Sequence, residues 1–121
     1  MKYMIYIGCL LFFLGCMSVS GETADNQISR ITKFNTLSMN KVLDELGFPE
    51  RCDTFLIQEV VGEFRIELLN TYPLTNPKNR KVKIKELHWK DGDYNITLWF
   101  HQIDGNWVVL DGRRWHKNVD F

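Results

Sequence analysis

Residues 80–115 read RKVKIKELHWKDGDYNITLWFHQIDGNWVVLDGRRW, and their pattern sets the expected architecture. Apolar and polar residues alternate through three segments, as they do in half-buried β-strands. The segments are residues 80–90, 93–102 and 106–115. Asp91-Gly92 and Asp104-Gly105 separate them, and Asp-Gly between alternating segments is a strong hairpin signal. The pattern therefore predicts an antiparallel meander of three strands, or four if a strand precedes it.

One face of this meander is expected to form the core. A β-bulge near Lys85-Glu86 would keep all the large apolar residues of the first segment on that face. The predicted core residues are Val82, Ile84, Leu87, Trp89, Tyr94, Ile96, Leu98 and Phe100.

The other face of the sheet carries a predicted protein-binding patch. Its residues are Trp99, His101, Trp107 and Val109. Trp107 and Val109 belong to it if Val108 and Leu110 line the core. Large apolar patches are uncommon on monomers, so two outward tryptophans suggest a partner. The alternative is that the N-terminal segment or the tail around Trp115 covers them.

A short helix is predicted at residues 39–46. Ser38 can cap its N-terminus, and Gly47 and Pro49 follow its last turn. Its apolar residues recur at intervals of three and four and are Met39, Val42, Leu43 and Leu46. Residues 55–69 are ambiguous, and we expect a helix or turn at 55–61 before a strand at 63–69. The predicted class is α+β, with one or two short N-terminal helices on a 3–4-stranded antiparallel meander in two layers.

The first twenty residues have the pattern of a secretory signal peptide. Lys2 precedes an uncharged apolar run, and small residues follow from Ser18. Residues 12–16, FFLGC, resemble a bacterial lipobox, which predicts lipidation of Cys16. Cleavage after Ser20 and an uncleaved signal anchor are the alternatives. We expect a signal peptide at 1–20, a flexible tether at 21–27 and one domain at 28–121.

Composition excludes several classes of protein. The 121 residues carry 15 basic and 15 acidic side chains, with 45% hydrophobic and 25% charged residues. These values are typical of a globular protein and exclude a disordered or polytopic membrane chain. Zero net charge provides no long-range field for nucleic acid. Cys52 is the only cysteine left after the signal, so it is expected to be a small, partly buried apolar residue without an intramolecular disulfide.

No catalytic or metal-binding motif is present in the sequence. The histidines, His88, His101 and His116, have no metal-ligand spacing and are expected to be ordinary surface residues. We therefore predict no cofactor, no metal and no enzymatic activity. The only charge cluster comprises Lys78, Arg80, Lys81, Lys83 and Lys85. It is typical of a solvated strand face, and phosphate or headgroup binding is the alternative.

Residues 39–49, MNKVLDELGFP, resemble the opening of the SmpA/OmlA (BamE) and beta-lactamase-inhibitor-like families. In these families a short helix ending in Leu-Gly-x-Pro precedes an antiparallel meander, often behind a lipoprotein signal. The resemblance implies a small envelope binding module. We expect a lipid-anchored protein that binds an unidentified envelope protein, at the periplasmic side of the outer membrane if the source is Gram-negative. A secreted or periplasmic soluble cystatin-like or NTF2-like ligand-binding domain or enzyme is the alternative.

Overall fold

A computed structural model describes residues 28–119, which form an α+β domain. The strands are β1 (Ile28–Arg30), β2 (Arg51–Leu56), β3 (Lys83–Asp91), β4 (Tyr94–Ile103) and β5 (Asn106–His116). The α-helix of the described part, α1, spans Met39–Leu46, and short 3-10 helices span Ile57–Glu59, Ile66–Asn70 and Pro77–Asn79. The predicted signal peptide and tether, with Cys16, lie outside the described residues.

Helix α1 is confirmed at the predicted residues, and its ends show why. The Ser38 hydroxyl accepts a hydrogen bond from the Lys41 N–H at 3.3 Å, which satisfies one unpaired donor of the first turn. Gly47 has φ +79°, a conformation that favours glycine, and its N–H donates to the Leu43 carbonyl at 2.8 Å. Both ends are therefore set by local sequence.

The strands form one antiparallel sheet in the order β1-β5-β4-β3-β2. The two predicted hairpins are confirmed, with Asp91 paired to Tyr94 and Ile103 paired to Asn106. The count of three or four strands was wrong, because β2 and β1 extend the meander at its two edges. The strand predicted at 63–69 was also wrong: Ile66–Asn70 is a 3-10 helix.

Apolar side chains pack on both faces of the sheet, although two layers were expected. On one face, α1 and the chain before it cover the helix core, which comprises Phe34, Val42, Leu87, Trp89, Ile96, Leu98, Phe100 and Val109. On the other face, the covering segment, residues 57–82, supplies much of a second core. This segment core comprises Phe55, Ile57, Val60, Leu68, Ile84 and Trp99. The covering segment therefore forms a third layer.

The assignment of side chains to the two faces differs from the prediction at two places. β3 and β4 pair without interruption from Lys85 to Asp91, so there is no bulge at Lys85-Glu86 and Ile84 turns into the segment core. The irregularity lies in β5 instead. Trp99 pairs with Asp111 and Phe100 pairs with Val109, which leaves Leu110 as the extra residue.

The Asp104-Gly105 turn, rather than this extra residue, sets the faces of Trp107 and Val109, because it pairs them with Gln102 and Phe100. Val109 packs in the helix core, and Leu110 packs against the segment core. Beyond it, Gly112 lies against Leu98, where an added Cβ would be 2.4 Å from the Leu98 Cδ2 atom. The absence of a side chain at Gly112 therefore lets β5 pass over the middle of the helix core.

Candidate functional site

The four predicted binding residues do not form one surface. Trp99 is only 1% exposed and belongs to the segment core, and Val109 is 1% exposed and belongs to the helix core on the opposite face. Trp107 is half-buried against the helix core. His101 is half-buried, with its Nδ1 atom 2.6 Å from the Tyr72 hydroxyl. The prediction of a shared outward face was wrong because the Asp104-Gly105 turn pairs Val109 with Phe100 on the helix side of the sheet, and because the covering segment buries Trp99.

A buried carboxylate lies at the centre of the covered face. Glu86 on β3 accepts hydrogen bonds from Arg65 Nε and Nη2, both at 2.8 Å. It also accepts from Trp99 Nε1 at 2.7 Å and from His88 Nε2 at 2.9 Å. Burial acts to raise the pKa of this carboxyl, but the hydrogen bonds from His88, Arg65 and Trp99 outweigh burial and lower its pKa from 4.5 to about 2. Glu86 is therefore an ionised carboxylate at neutral pH.

His88 belongs to the same network and is buried, so its prediction as a surface residue was wrong. An ionised carboxylate only accepts hydrogen bonds, so the Nε2 atom that faces Glu86 carries a proton. The Nδ1 atom lies 2.8 Å from the Thr97 hydroxyl, which in turn accepts from Trp115 Nε1 at 3.2 Å. Both ring nitrogens of His88 are thus already bonded within the protein.

An open cleft of about 280 Å³ lies beside this network, and we call it the arginine cleft. Its lining residues are Arg51, Val61, Phe64, Arg65, Glu86, His88 and Trp115. Phe64 forms edge-to-face contacts with Trp99 and Trp115, with ring centroids 5.3 and 5.7 Å apart. Val61 is 77% exposed at the rim. The Arg51 guanidinium has no hydrogen-bond or ion-pair partner within residues 28–119.

The neighbouring edge strand, β2, is partly protected against pairing with another strand. The Ile57 N–H donates to the Val82 carbonyl and so points toward the β3 side. Along an antiparallel strand, successive backbone N–H groups point alternately toward and away from the neighbouring strand. The N–H groups of Thr54 and Leu56 therefore face away from β3. The Thr54 N–H donates to the Asp53 carboxylate at 2.9 Å, and the Leu56 N–H donates to Glu59 at 2.7 Å. Recognition near β2 therefore depends on side chains more than on an added strand.

The remaining predicted residues lie apart from this cleft. Burial lowers the pKa of His101 and raises the pKa of its hydrogen-bond partner Tyr72. His116 is half-buried and accepts a hydrogen bond from the Asn118 N–H. Cys52 is exposed on β2, which corrects the expectation that it is partly buried. In the part of the chain that the structure describes, no cluster of three His, Cys, Asp or Glu residues could hold a metal ion, and no helix is long and apolar enough to cross a membrane.

Sequence reasoning missed three charged residues of this region, Glu86, Arg65 and Arg51, and the burial of His88. Glu86 and His88 are two positions apart on a predicted strand and so share a face, which was a usable signal. Arg65 lies in the ambiguous stretch, where no local pattern indicates that it meets Glu86. Arg51 lies on a strand that has no clear alternation of apolar and polar residues.

No protein-family model, curated protein or solved structure matches this chain. The likeness of residues 39–49 to the SmpA/OmlA and beta-lactamase-inhibitor-like families therefore stays a prediction.

Proposed function

We propose that this chain is a small, exported, lipid-anchored protein of the bacterial envelope that acts as a non-catalytic protein-binding module. The lipobox-like residues 12–16 support export and anchoring at Cys16. The resemblance at residues 39–49 supports the same class of protein. We assign recognition of the partner to the arginine cleft rather than to the predicted tryptophan patch.

The proposal rests on one contrast among the described residues: the side chains at the base of the cleft are hydrogen-bonded within the protein, and those at its rim are not. At the base, Glu86 and His88 are saturated with internal hydrogen bonds. At the rim, Arg51 has no partner among the described residues and Val61 is exposed beside aromatic walls. Aromatic and arginine side chains around a small concave site are typical of the centres of protein interfaces. The rim of the cleft is therefore available to bind a partner, whereas the residues at its base are already hydrogen-bonded within the protein.

A second candidate function has one observation in its favour. The cleft contains a histidine and a carboxylate, the combination that would favour a small ligand-binding domain or enzyme. General acid–base catalysis needs a group that can exchange its proton near neutral pH. Glu86, with a pKa of about 2, is poorly suited to that role, and His88 donates to it. Within this alternative, binding of a small molecule is therefore better supported than catalysis.

Site-specific photocrosslinking in the native envelope tests the proposed interface. A benzophenone amino acid replaces Val61 at the cleft rim, and the same probe replaces Lys41 on the exposed side of α1 as a control. We expect a discrete crosslinked protein from position 61 only. Arg51→Glu should reduce its yield by about tenfold, because reversing a charge at an interface opposes the partner's complementary group.

The same experiment separates the two functions. Equal crosslinking from positions 61 and 41, or a yield that Arg51→Glu leaves unchanged, contradicts the assignment of the partner to this cleft. If native mass spectrometry of the purified protein instead shows a small molecule that Arg51→Glu releases, the ligand-binding alternative replaces the proposal.

A further inference from the structure

A second charged surface lies outside the arginine cleft. Five cations occur within eight residues, at Lys78, Arg80, Lys81, Lys83 and Lys85. None of them forms an ion pair within the described range 28–119. The whole chain has equal numbers of basic and acidic residues, so this concentration of positive charge is local.

Two of these lysines, Lys83 and Lys85, lie on one face of β3, and Lys81 lies in the turn just before the strand. Lys81, Lys83 and Lys85 alternate with Val82 and Ile84, whose side chains pack in or against the segment core. Lys83 and Lys85 therefore lie on the helix side of the sheet. There α1 packs against β5 and leaves Cys52 and Thr54 of β2 exposed.

An aromatic ring borders the lysines. The Lys85 Nζ atom lies 4.7 Å from the ring centroid of Trp107, which is half-buried at the start of β5. A cation at this distance from an indole face is attracted to the ring. We call Lys81, Lys83, Lys85 and Trp107 the basic face.

The basic face and the point where the chain enters the domain lie at opposite ends of the sheet. The basic face lies at the start of β3, whereas the chain enters β1 at Ile28, which pairs with Trp115 at the other end of the sheet. The nine residues of β3 separate these ends by about 30 Å. In a protein tethered through the residues before Ile28, the basic face lies far from the point of anchoring. The expected tether is flexible and lets the domain turn, so the spacing of the lysines, and not this distance, favours a protein partner over the headgroups of the anchoring membrane.

We propose that the basic face binds an extended acidic segment of a partner protein. Lys83 and Lys85 are about 6.7 Å apart along β3, which matches the spacing of alternate side chains in an extended peptide, and Lys81 adds a third cation from the preceding turn. Such a peptide with an acidic residue at every second position can pair with Lys83 and Lys85 together, and Lys81 adds positive charge beside them. The inference rests on the proposed protein-binding function, but it uses a surface distinct from the arginine cleft.

Fluorescence anisotropy with the full chain in a neutral detergent tests this proposal. The probe is a labelled peptide of alternating Glu and Ser, and the matched peptide has Gln in place of Glu. We expect saturable binding of the acidic peptide only, with an affinity that falls as salt rises. The triple variant Lys81→Gln, Lys83→Gln, Lys85→Gln should bind about tenfold more weakly.

A second triple variant controls for net charge. Lys33→Gln, Lys41→Gln, Lys90→Gln removes the same charge from exposed sites elsewhere and should change the affinity by less than about threefold. Peptide binding should also alter the fluorescence of wild-type protein through Trp107, a signal that Trp107→Phe removes. Near-ultraviolet circular dichroism checks that each variant is folded.

Three results would overturn the proposal. They are no binding of the acidic peptide to wild type, equal weakening by both triple variants, and stronger binding to phosphatidylglycerol vesicles than to the peptide. The last result would assign the basic face to a lipid surface. Arg51→Glu should leave peptide binding within about threefold of wild type, because it changes a different surface. The experiments therefore distinguish a failure of the proposal for the arginine cleft from a failure of the proposal for the basic face.

Discussion

At the scale of single residues, Glu86 shows how a charge is accommodated beneath the covering segment. Burying a carboxylate is costly unless its oxygens are paired and hydrogen-bonded. Arg65 binds both oxygens, and Trp99 and His88 each add one donor. The Arg65 guanidinium also lies 4.0 Å from the ring centroid of Phe55 and donates to Asp53 at 3.0 Å. The two ion pairs of Arg65 thus link the covering segment to β2 and β3.

We predict that Glu86→Gln lowers the free energy of unfolding by about 3 kcal/mol at about pH 7, because it leaves Arg65 without its buried counter-charge. Urea denaturation measures this change. Asp53→Asn is the matched control, since its exposed pair with the same arginine should contribute less than about 1 kcal/mol. Equal losses from the two substitutions would contradict the central role of Glu86.

The pH dependence of the same variant gives a second test. The pKa of Glu86 is lowered from 4.5 to about 2 in the folded protein, so the unfolded chain takes up its proton first as pH falls. The stabilisation by ionised Glu86 is present above pH 4.5 and is lost progressively between pH 4.5 and 2. We expect the difference in unfolding free energy between wild type and Glu86→Gln to shrink over that range. A difference that is independent of pH would contradict the assignment.

At the scale of elements, the covering segment is irregular and depends on packing. Its three 3-10 helices are short, and a single turn contributes little stability alone. Leu68 and Ile57 insert into the segment core. Polar contacts add to them, with Tyr72 bonded to His101 and Glu67 paired with Arg113. The segment is therefore held by contacts to the sheet rather than by its own secondary structure.

Two substitutions within one 3-10 helix test this dependence. Leu68 is 2% exposed and Ile66 is 46% exposed. We predict that Leu68→Ala lowers the free energy of unfolding by about 2–5 kcal/mol, through lost burial and a residual cavity. Ile66→Ala should cost less than about 1 kcal/mol, as substitutions at exposed sites do. Comparable losses, measured by urea denaturation, would show that the segment does not pack as described.

At the scale of the whole molecule, the two proposed surfaces lie at different ends of the sheet. The arginine cleft includes Trp115, which pairs with Ile28 where the chain enters the domain. The basic face lies at the start of β3, near the other end. A lipid-anchored form would therefore present the cleft near the end from which its tether leaves and the basic face at the far end.

The anchoring prediction belongs to this scale. Cys16→Ala should abolish labelling with a radioactive lipid precursor and move the protein from the membrane fraction to the soluble fraction, because multiple acyl chains hold a protein on a bilayer. Cys52→Ala is the control and should leave both labelling and fractionation unchanged. A soluble wild-type protein whose mature chain begins at Gly21 would contradict lipidation.

Local patterns in the sequence were enough to predict α1 and the two hairpins. The cap at Ser38, the stop at Gly47 and the Asp104-Gly105 turn act through neighbours within about four residues. Such short-range preferences can be recognised without knowing what the element packs against. The α+β class followed from them, since they supplied both a helix and a meander.

Tertiary packing determined the faces of the strands and the composition of the site. A single extra residue at Leu110 puts Asp111, rather than Gly112, on the segment-core side of the sheet, because a strand's side chains alternate and one step reverses them. The pairing of β2 with β3, and of Arg65 with Glu86, joins residues far apart in the chain. Their proximity depends on the burial of the whole segment core, a sum of non-local contacts for which no short stretch of sequence carries the signal.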